Sequence, residues 1–208
     1  MGEVALSERR EEAEYRRTIG SMLEEVDRLT TLVNALLVLS RADAGHTVLS
    51  RQSVDLVSVV SDVVEQLGVL AEEKEQSLTV EGEASVFVVA DRALLSRAVV
   101  NLVDNAIKYT PEGGRIRVRV NAQDGSAWIE VSDTGPGIPV EHRARVFERF
   151  YRIDKSRSRE IGGAGLGLSL ARLAVEAHGG RIELDSSDSG GATFRIVLPS
   201  AERKGGPP

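Results

Sequence analysis

The stretch that most limits how this chain can fold is residues 97–109, RAVVNLVDNAIKY. Its apolar residues are spread over the faces that a buried helix needs. Asn101 and Asn105 interrupt this apolar run four residues apart, and Lys108 and Tyr109 follow them. Because residues four apart share one side of a helix, two amides and an ammonium line one side of an otherwise buried helix.

This polar line allows two interpretations. In the first, each Asn side chain bonds to nearby backbone, which satisfies a buried amide locally. In the second, the line belongs to a polyphosphate–metal site, because amide oxygens are hard ligands suited to Mg²⁺ and Lys neutralises phosphate charge. Asn is a poor residue for a helix interior, so two of them together with Lys108 favour the second interpretation.

Composition excludes several kinds of function. The chain has 208 residues and a formal net charge of −6, which argues against nonspecific binding to nucleic acid or to an anionic membrane surface. It has no cysteine, so disulfides and thiolate metal sites are excluded. No apolar run is long enough to span a bilayer, and no signal peptide is visible. We therefore expect a soluble domain or a fragment of something larger.

The hydrophobic pattern divides the chain into four parts. Residues 1–43 contain a helix over 11–42 with a heptad seam, which either packs on the rest of the chain or, as we favour, self-associates into a four-helix bundle. Residues 44–53 have the composition of a linker. Residues 54–199 alternate helices and hairpins, which predicts an α+β fold, a two-layer sandwich with helices on one face of an antiparallel-rich sheet. Residues 200–208 are expected to be a disordered tail.

Local signals place the elements of the larger part. We predict helices over 55–74, 92–109 (with Asp91 as N-cap), 140–150 and 166–177, and strands over 78–80, 86–90, 115–120, 127–131, 181–184 and 193–198. A turn at 81–83 separates the first two strands, and Asp124-Gly125 joins the third and fourth as a hairpin. Three Gly-rich segments lie in the connections between these elements.

These Gly-rich segments can approach a ligand closely through their backbone. Asp133 begins DTGPG directly after a strand, where Gly135 and Gly137 remove side-chain bulk and the carboxylate can accept from an adenine amine. The same motif alone equally suits a tight turn in which Asp bonds its own backbone. Residues 162–168, GGAGLGL, open a helix whose first N–H groups suit an anion. Residues 190–194, GGATF, lead into the last strand.

Together these motifs resemble the ATP-binding catalytic domain of a sensor histidine kinase, in the GHKL superfamily, over residues 54–199. Residues 11–42 resemble the second helix of the family's dimerisation domain, and residues 1–8 the tail of its first helix. The matching segments are 101–109 (N box), 133–137 (first glycine box), 147–152, FERFYR (F box), 163–168 (second glycine box) and 191–194 (third glycine box).

The resemblance implies a site for ATP and Mg²⁺. It assigns Mg²⁺ to Asn105, assisted by Asn101, and phosphate contacts to Lys108 and Arg152. Asn105, Lys108 and Arg152 are the implied catalytic residues, and Asp133 accepts from the adenine amine. The implied ATP-binding residues are Asn101, Asn105, Lys108, Tyr109, Asp133, Gly135, Gly137, Gly163, Gly165, Leu166, Gly167 and Thr193.

Further roles follow from the same resemblance. Tyr109 packs beside the nucleotide. Thr193 supports Asp133 through water, although the third glycine box reads GGAT where the family commonly has GxGT. Phe147 and Phe150 anchor the glycine-rich flap over the nucleotide.

One feature of the family is missing from these 208 residues. The family's phosphorylated His is followed by Glu or Asp on the first dimerisation helix. Here His46, His142 and His178 are followed by Thr, Arg and Gly, and we expect all three to be surface or capping residues. No phosphoacceptor is assigned, so this chain is expected to phosphorylate a His from another segment or another chain.

Position 101 favours phosphoryl transfer over ATP hydrolysis. GHKL ATPases such as gyrase and mismatch-repair proteins carry a Glu four residues before the metal-binding Asn, as a general base for water. Asn101 cannot accept a proton at neutral pH, so we expect negligible hydrolysis. We predict the catalytic core fragment of a sensor histidine kinase. The alternatives are a non-catalytic nucleotide-binding and dimerisation module and, third, a GHKL ATPase.

The resemblance also implies partners and a location. The partners are ATP or ADP, a second copy through residues 11–42 or a separate His-bearing helix, and the receiver domain of a response regulator, with no nucleic acid. The implied location is the cytoplasm. Anchoring of a longer protein in the inner membrane stays open.

Overall fold

The structure is a computed structural model that divides into two compact units, Met1–Gly45 and His46–Pro208. It describes residues 15, 18–20, 22, 49–153, 164–186 and 190–200. In the first unit these few residues are helical, and the rest of the predicted helix over 11–42 lies outside the described residues, as does the predicted tail over 201–208. No described helix is both long enough and apolar enough to cross a membrane.

The described part of the second unit alternates helices with strands. We number its elements in chain order. They are β1 (Gln52–Asp55), α1 (Leu56–Glu72), β2 (Ser77–Gly82), β3 (Phe87–Ala90), α2 (Arg92–Tyr109), β4 (Arg115–Gln123), β5 (Ser126–Asp133), α3 (Val140–Arg143), α4 (Gly167–Ala177), β6 (Arg181–Ser186) and β7 (Ala192–Pro199).

Five strands form one sheet in the order β2-β4-β5-β7-β6. β2 runs parallel to β4, and the other neighbours are antiparallel. Alternate residues of these strands, such as Ile116, Val118 and Ile129, are fully buried. They join one core cluster with the apolar faces of α1, α2 and α4, including Leu56 and Leu102. The α+β sandwich with helices on one face is therefore confirmed.

The opposite face of the sheet carries a row of charges. Successive register partners across β2, β4, β5, β7 and β6 are Glu81, Arg119, Glu130, Arg195 and Glu183, so the sign alternates at every step. Glu130 lies at the centre, 1% exposed, and both flanking guanidinium groups donate to it. Burial opposes ionisation of Glu130, but the hydrogen bonds from Arg195 and Arg119 outweigh it and lower its pKa.

β2 runs on through Gly82, so it includes two of the three residues of the predicted turn at 81–83, and it does not pair with β3. β2 pairs with β4, whereas β3 pairs antiparallel with β1 in a separate two-stranded sheet. Asp55 fixes this arrangement, because its Oδ1 accepts from Val57 N at the start of α1 and from Val86 N just before β3. β1 begins at Gln52, so it takes the last two residues of the predicted linker.

The predicted helix over 140–150 is much shorter than expected. α3 ends at Arg143 and turns follow. Phe150 has a left-handed backbone, φ 63°, and its N–H donates to Gly165 O at 2.8 Å. A bulky residue rarely adopts this conformation, so the contact with Gly165 takes the chain out of helical geometry here.

Candidate functional site

A cleft of about 420 Å³ opens between α2, the turn after β5 and the start of α4. Most of the sequence-predicted site residues meet there. Those that line it are Asn101, Asn105, Lys108, Tyr109, Asp133, Gly137, Arg152, Gly165 and Gly167. Gly163 lies outside the described residues.

Helix α2 supplies the polar wall of the cleft. It starts at Asp91, whose Oδ1 accepts from Leu94 N at 3.0 Å, as the predicted N-cap should. Its apolar side is fully buried, which fixes the rotation of the helix about its axis. Asn101, Asn105 and Lys108 therefore lie half-buried on the side that faces the cleft.

The last turn of α2 is held by two residues that sequence analysis missed. Lys74 Nζ donates to Ile107 O at 2.9 Å, and the buried Gln76 Nε2 donates to Thr110 O at 2.7 Å. These bonds satisfy carbonyls that a helix end leaves without intrahelical partners. They keep in place the turn that carries Lys108. No local sequence pattern signals them, because both lie more than 30 residues away in the chain.

A carboxylate also lines the cleft beside the predicted phosphate contact. Lys108 Nζ lies 2.6 Å from Asp104 Oδ2, and both residues line the cleft. The two are four residues apart on α2, the spacing at which side chains meet on a helix. That spacing was available in the sequence as a signal and was not used.

Asp133 lies at the end of β5 on the side of the cleft opposite α2. Its Oδ1 accepts from Gly135 N at 2.8 Å and from Ala192 N at 3.3 Å. Among the described residues no donor is bonded to its other oxygen. Burial raises the pKa of this carboxyl, and the two N–H bonds only partly offset it. An additional donor from a ligand would favour the charged form.

The segment that leads into α4 borders the cleft and carries glycine at two positions. A Cβ on Gly167 would lie 3.2 Å from Asn101 Oδ1, so glycine lets the backbone come close to that amide. Gly165 has φ 71°, and a Cβ there would lie 2.9 Å from the backbone of Phe150. Gly167 therefore lines the cleft together with Asn101 and Asn105.

Three predicted contacts are placed elsewhere by the structure. Gly135 does not line the cleft, but its N–H orients Asp133. Leu166 is buried just before α4, and its carbonyl accepts from Ser169 Oγ. The structure does not fit the role predicted for Thr193, which was to support Asp133 through water. The Thr193 hydroxyl lies 3.0 Å from Ser132 Oγ, on the sheet face turned away from the helices. Strand alternation puts Ala192 at the cleft instead.

The two F-box aromatic residues differ in their packing. Phe147 packs edge-on against Phe194 with ring centres 6.1 Å apart, as an anchor should. Phe150 is 58% exposed, so its side chain does not anchor the flap. Only its backbone does, through Gly165.

The two described histidines are engaged in structural bonds. His142 Nδ1 lies 2.6 Å from the hydroxyl of Tyr151. His178 is buried and is the C-cap residue of α4, which agrees with the second of the two roles expected of it. Its Nε2 accepts from Asp91 N at 2.9 Å, and Nδ1 lies 2.7 Å from Ala174 O. This pattern suits a neutral ring that donates through Nδ1.

The residues of the cleft fit a magnesium–nucleotide complex. Amide oxygens are hard ligands for Mg²⁺, and Lys108 with Arg152 supplies positive charge for phosphates. The lining also includes the apolar Ile138 and Val146, which suit the face of a base. The missing Cβ of Gly167 leaves space beside Asn101.

Fold and cleft together define an ATPase-type nucleotide-binding domain. The model of the family described as histidine kinase-, DNA gyrase B- and HSP90-like ATPases matches residues 90–202, and the chain belongs to this family. Its relatives place it among the sensor histidine kinases. It is 37% identical over 198 residues to the sensor protein IrlS of Burkholderia pseudomallei, which covers 95% of this chain and 42% of that protein.

Solved structures agree with this placement. The mycobacterial sensor histidine kinase MprB superposes with a TM-score of 0.63 at 35% identity, covering 72% of this chain and 97% of that one. Full-length ShkA in complex with AMPPNP superposes with a TM-score of 0.80 at 31% identity, covering 93% of this chain and 40% of that one. The chain spans less than half the length of the curated relatives it matches, between 30% and 48% for three of them.

Proposed function

We propose that this chain is the catalytic core portion of a sensor histidine kinase. It binds Mg-ATP in the cleft beside α2 and transfers the γ-phosphoryl group to a His on a dimerisation helix outside these residues, for relay to the receiver domain of a response regulator. The observation that carries the proposal is the meeting of Asn101, Asn105 and Lys108 with Asp133 and Gly167 around one cleft.

Each side of the cleft has a separate task. Asp133 accepts from the adenine amine through its free oxygen, while Gly135 holds the carboxylate in position. Asn105, assisted by Asn101, holds Mg²⁺, which when bound neutralises phosphate charge and orients the γ-phosphoryl group. Lys108 and Arg152 contribute positive charge at the same end. Positioning and charge neutralisation supply most of the catalysis in phosphoryl transfer.

The cleft favours transfer to an imidazole over transfer to water. Asn101 stands where the hydrolysing relatives carry a general base, and a carboxamide cannot take a proton from water. An imidazole nitrogen needs no such base, because its own lone pair attacks. Asp104, the carboxylate of this helix face, is occupied by Lys108 at 2.6 Å.

The acceptor is proposed to come from another segment or chain. The ring of His142 is hydrogen-bonded to Tyr151, and the ring of His178 is hydrogen-bonded to the backbone of Asp91 and Ala174. Neither histidine is followed by an acid in the sequence. His46 lies outside the described residues and is followed by Thr. A second copy would bring its own dimerisation segment through residues 11–42. We place the reaction in the cytoplasm, with anchoring in the inner membrane assigned to a longer protein.

The proposal is tested by mixing this chain, Mg²⁺ and labelled ATP with a dimerisation fragment that carries the His-acid motif. We expect acid-labile, base-stable phosphate on the fragment. We also expect the steady-state hydrolysis of ATP to free phosphate to be no faster than the background rate. Asn105→Ala is expected to lose transfer. ATP binding without transfer would instead indicate a non-catalytic nucleotide-binding module, and rapid turnover without the fragment would indicate an ATPase.

A further inference from the structure

We propose that Asp104 is a positioning residue that makes nucleotide binding depend on Mg²⁺. In the free protein it holds Lys108, and it must release that ammonium before the phosphates can use it. The inference rests on the proposed function, since it takes the cleft as the site of Mg-ATP. It assigns a role to a carboxylate that neither the fold nor the family resemblance explains.

The first step is the geometry of the pair. Asp104 Oδ2 and Lys108 Nζ lie 2.6 Å apart, and their side chains are 32% and 36% exposed. Both residues line the cleft, next to Asn101 and Asn105. Asp104 neither caps a helix nor belongs to the core cluster. Among the described residues, the one hydrogen bond to its side chain comes from Lys108.

The second step is the charge that a nucleotide meets. A free triphosphate approaching Lys108 must displace a carboxylate and then remain close to it, and like charges at such distances repel. The half-buried position strengthens that repulsion relative to open water. Asp104 therefore lowers the affinity for ATP alone.

The third step is the effect of the metal. Mg²⁺ on the phosphates cancels part of their charge, so the repulsion from Asp104 falls while the contact of Lys108 with phosphate remains. The amide oxygens of Asn101 and Asn105 carry no charge, and they favour the metal whether or not Asp104 is charged. Asp104 thus penalises the metal-free nucleotide and leaves the productive complex nearly unaffected. By linkage, ATP and Mg²⁺ then strengthen each other's binding.

The test compares ATP affinity in Mg²⁺ with ATP affinity in EDTA, by calorimetry on the whole chain. Asp104→Asn keeps the size and removes the charge. We expect its affinity in EDTA to rise about tenfold over the unsubstituted protein, with little change in Mg²⁺, so that the ratio of the two affinities falls about tenfold. Asp104→Glu keeps the charge and is expected to retain most of the ratio between the ATP affinities in Mg²⁺ and in EDTA.

The matched control is Asp62→Asn. Asp62 also forms an ion pair of 2.6 Å, with Arg92, but it does not line the cleft, so its loss should leave the ratio unchanged. The inference is overturned if the Asp104→Asn protein has the same ratio of ATP affinities in Mg²⁺ and EDTA as the control. It is also overturned by a loss of affinity confined to Mg²⁺, which would make Asp104 a direct metal ligand. If the unsubstituted chain binds no ATP in Mg²⁺, the proposed function itself fails.

Discussion

At the scale of single residues, Asp133 offers the adenine base a hydrogen-bond acceptor. One of its oxygens is bonded by the N–H groups of Gly135 and Ala192. The other has no bonded donor among the described residues, and burial raises the pKa of the carboxyl. A carboxylate in this condition gains most from a ligand that brings a donor of its own.

Asp133→Asn tests this role. The Asn oxygen can still accept from Gly135, which leaves its NH₂ group facing the adenine amine, donor against donor. We expect ATP affinity to fall about 10- to 100-fold, roughly 1.5–3 kcal/mol, because a buried donor is left without an acceptor. Calorimetric titration with ATP in Mg²⁺ measures the loss.

The control for this substitution is Asp185→Asn. Asp185 is exposed and pairs in register with Thr193, on the sheet face away from the cleft. The affinity of the Asp185→Asn protein for ATP should match that of the unsubstituted protein. An Asp133→Asn protein that binds ATP normally would show that the carboxylate only shapes the turn, the simpler interpretation of a DTGPG motif.

The sequence was informative at this scale where a residue type and a helical spacing coincided. Asn101, Asn105 and Lys108 were predicted to share one side of α2, and they do line one cleft. Thr193 was assigned by its place in a motif, and strand alternation contradicts the assignment. Phe194 is apolar and buried, so its neighbour had to point the other way. Alternation was readable in the sequence, whereas the bond to Ser132 was not.

At the scale of elements, α2 depends on polar groups at both ends. Lys74 and Gln76 hold its last carbonyls. At the first turn, the N–H of Leu94 is the main cause that lowers the pKa of Asp91 below its ordinary value of 3.8. Since the folded-state pKa is the lower one, the charged cap stabilises the fold fully above about pH 4. That contribution is lost as the pH falls through the folded pKa.

Asp91→Asn isolates this charge, because Asn also caps helices but does not titrate. We expect Asp91→Asn to be less stable than the unsubstituted protein at neutral pH, with the difference shrinking on acidification below about pH 4. Asp91→Ala should cost about 1 kcal/mol at neutral pH through loss of the cap. Denaturant unfolding at several pH values measures both. A difference that stays constant with pH would contradict the role of the charge.

Elements were predictable where a local pattern decided them. The cap at Asp91, the buried alternation of β4 and the β4–β5 hairpin were all found as expected. The partners of β2 and β3 were not, because pairing depends on Asp55 and on distant strands. The helix over 140–150 failed for a related reason. Phe150, which the prediction placed in that helix, instead bonds to Gly165, 15 residues further along the chain.

At the scale of the whole molecule, the chain has two compact units. The second has its own core, formed by the sheet and its helices. In the first, Ile19 and Met22 are exposed by 54% and 37%, and they belong to the heptad seam of residues 11–42. An apolar seam of this length is stable in water only when it is covered.

We expect the whole chain to form dimers through that seam, and a shortened chain of residues 46–208 to remain monomeric. Sedimentation equilibrium at micromolar concentration distinguishes the two, and ATP binding by the shortened chain verifies that its fold is intact. Leu29→Glu within the whole chain should abolish the dimer with less disturbance. A whole chain that stays monomeric would show that the seam packs within one copy.

The row of alternating charges on the open face of the sheet bears on how the five strands find their order. Glu130 is enclosed by two guanidinium groups, one from each neighbouring strand. If β4 and β7 docked directly on each other, Arg119 would face Arg195, and a shift of Glu183 or Glu81 towards Glu130 would bring carboxylates together. The alternating charges therefore favour the observed strand order, because misordered strands would place like charges opposite each other.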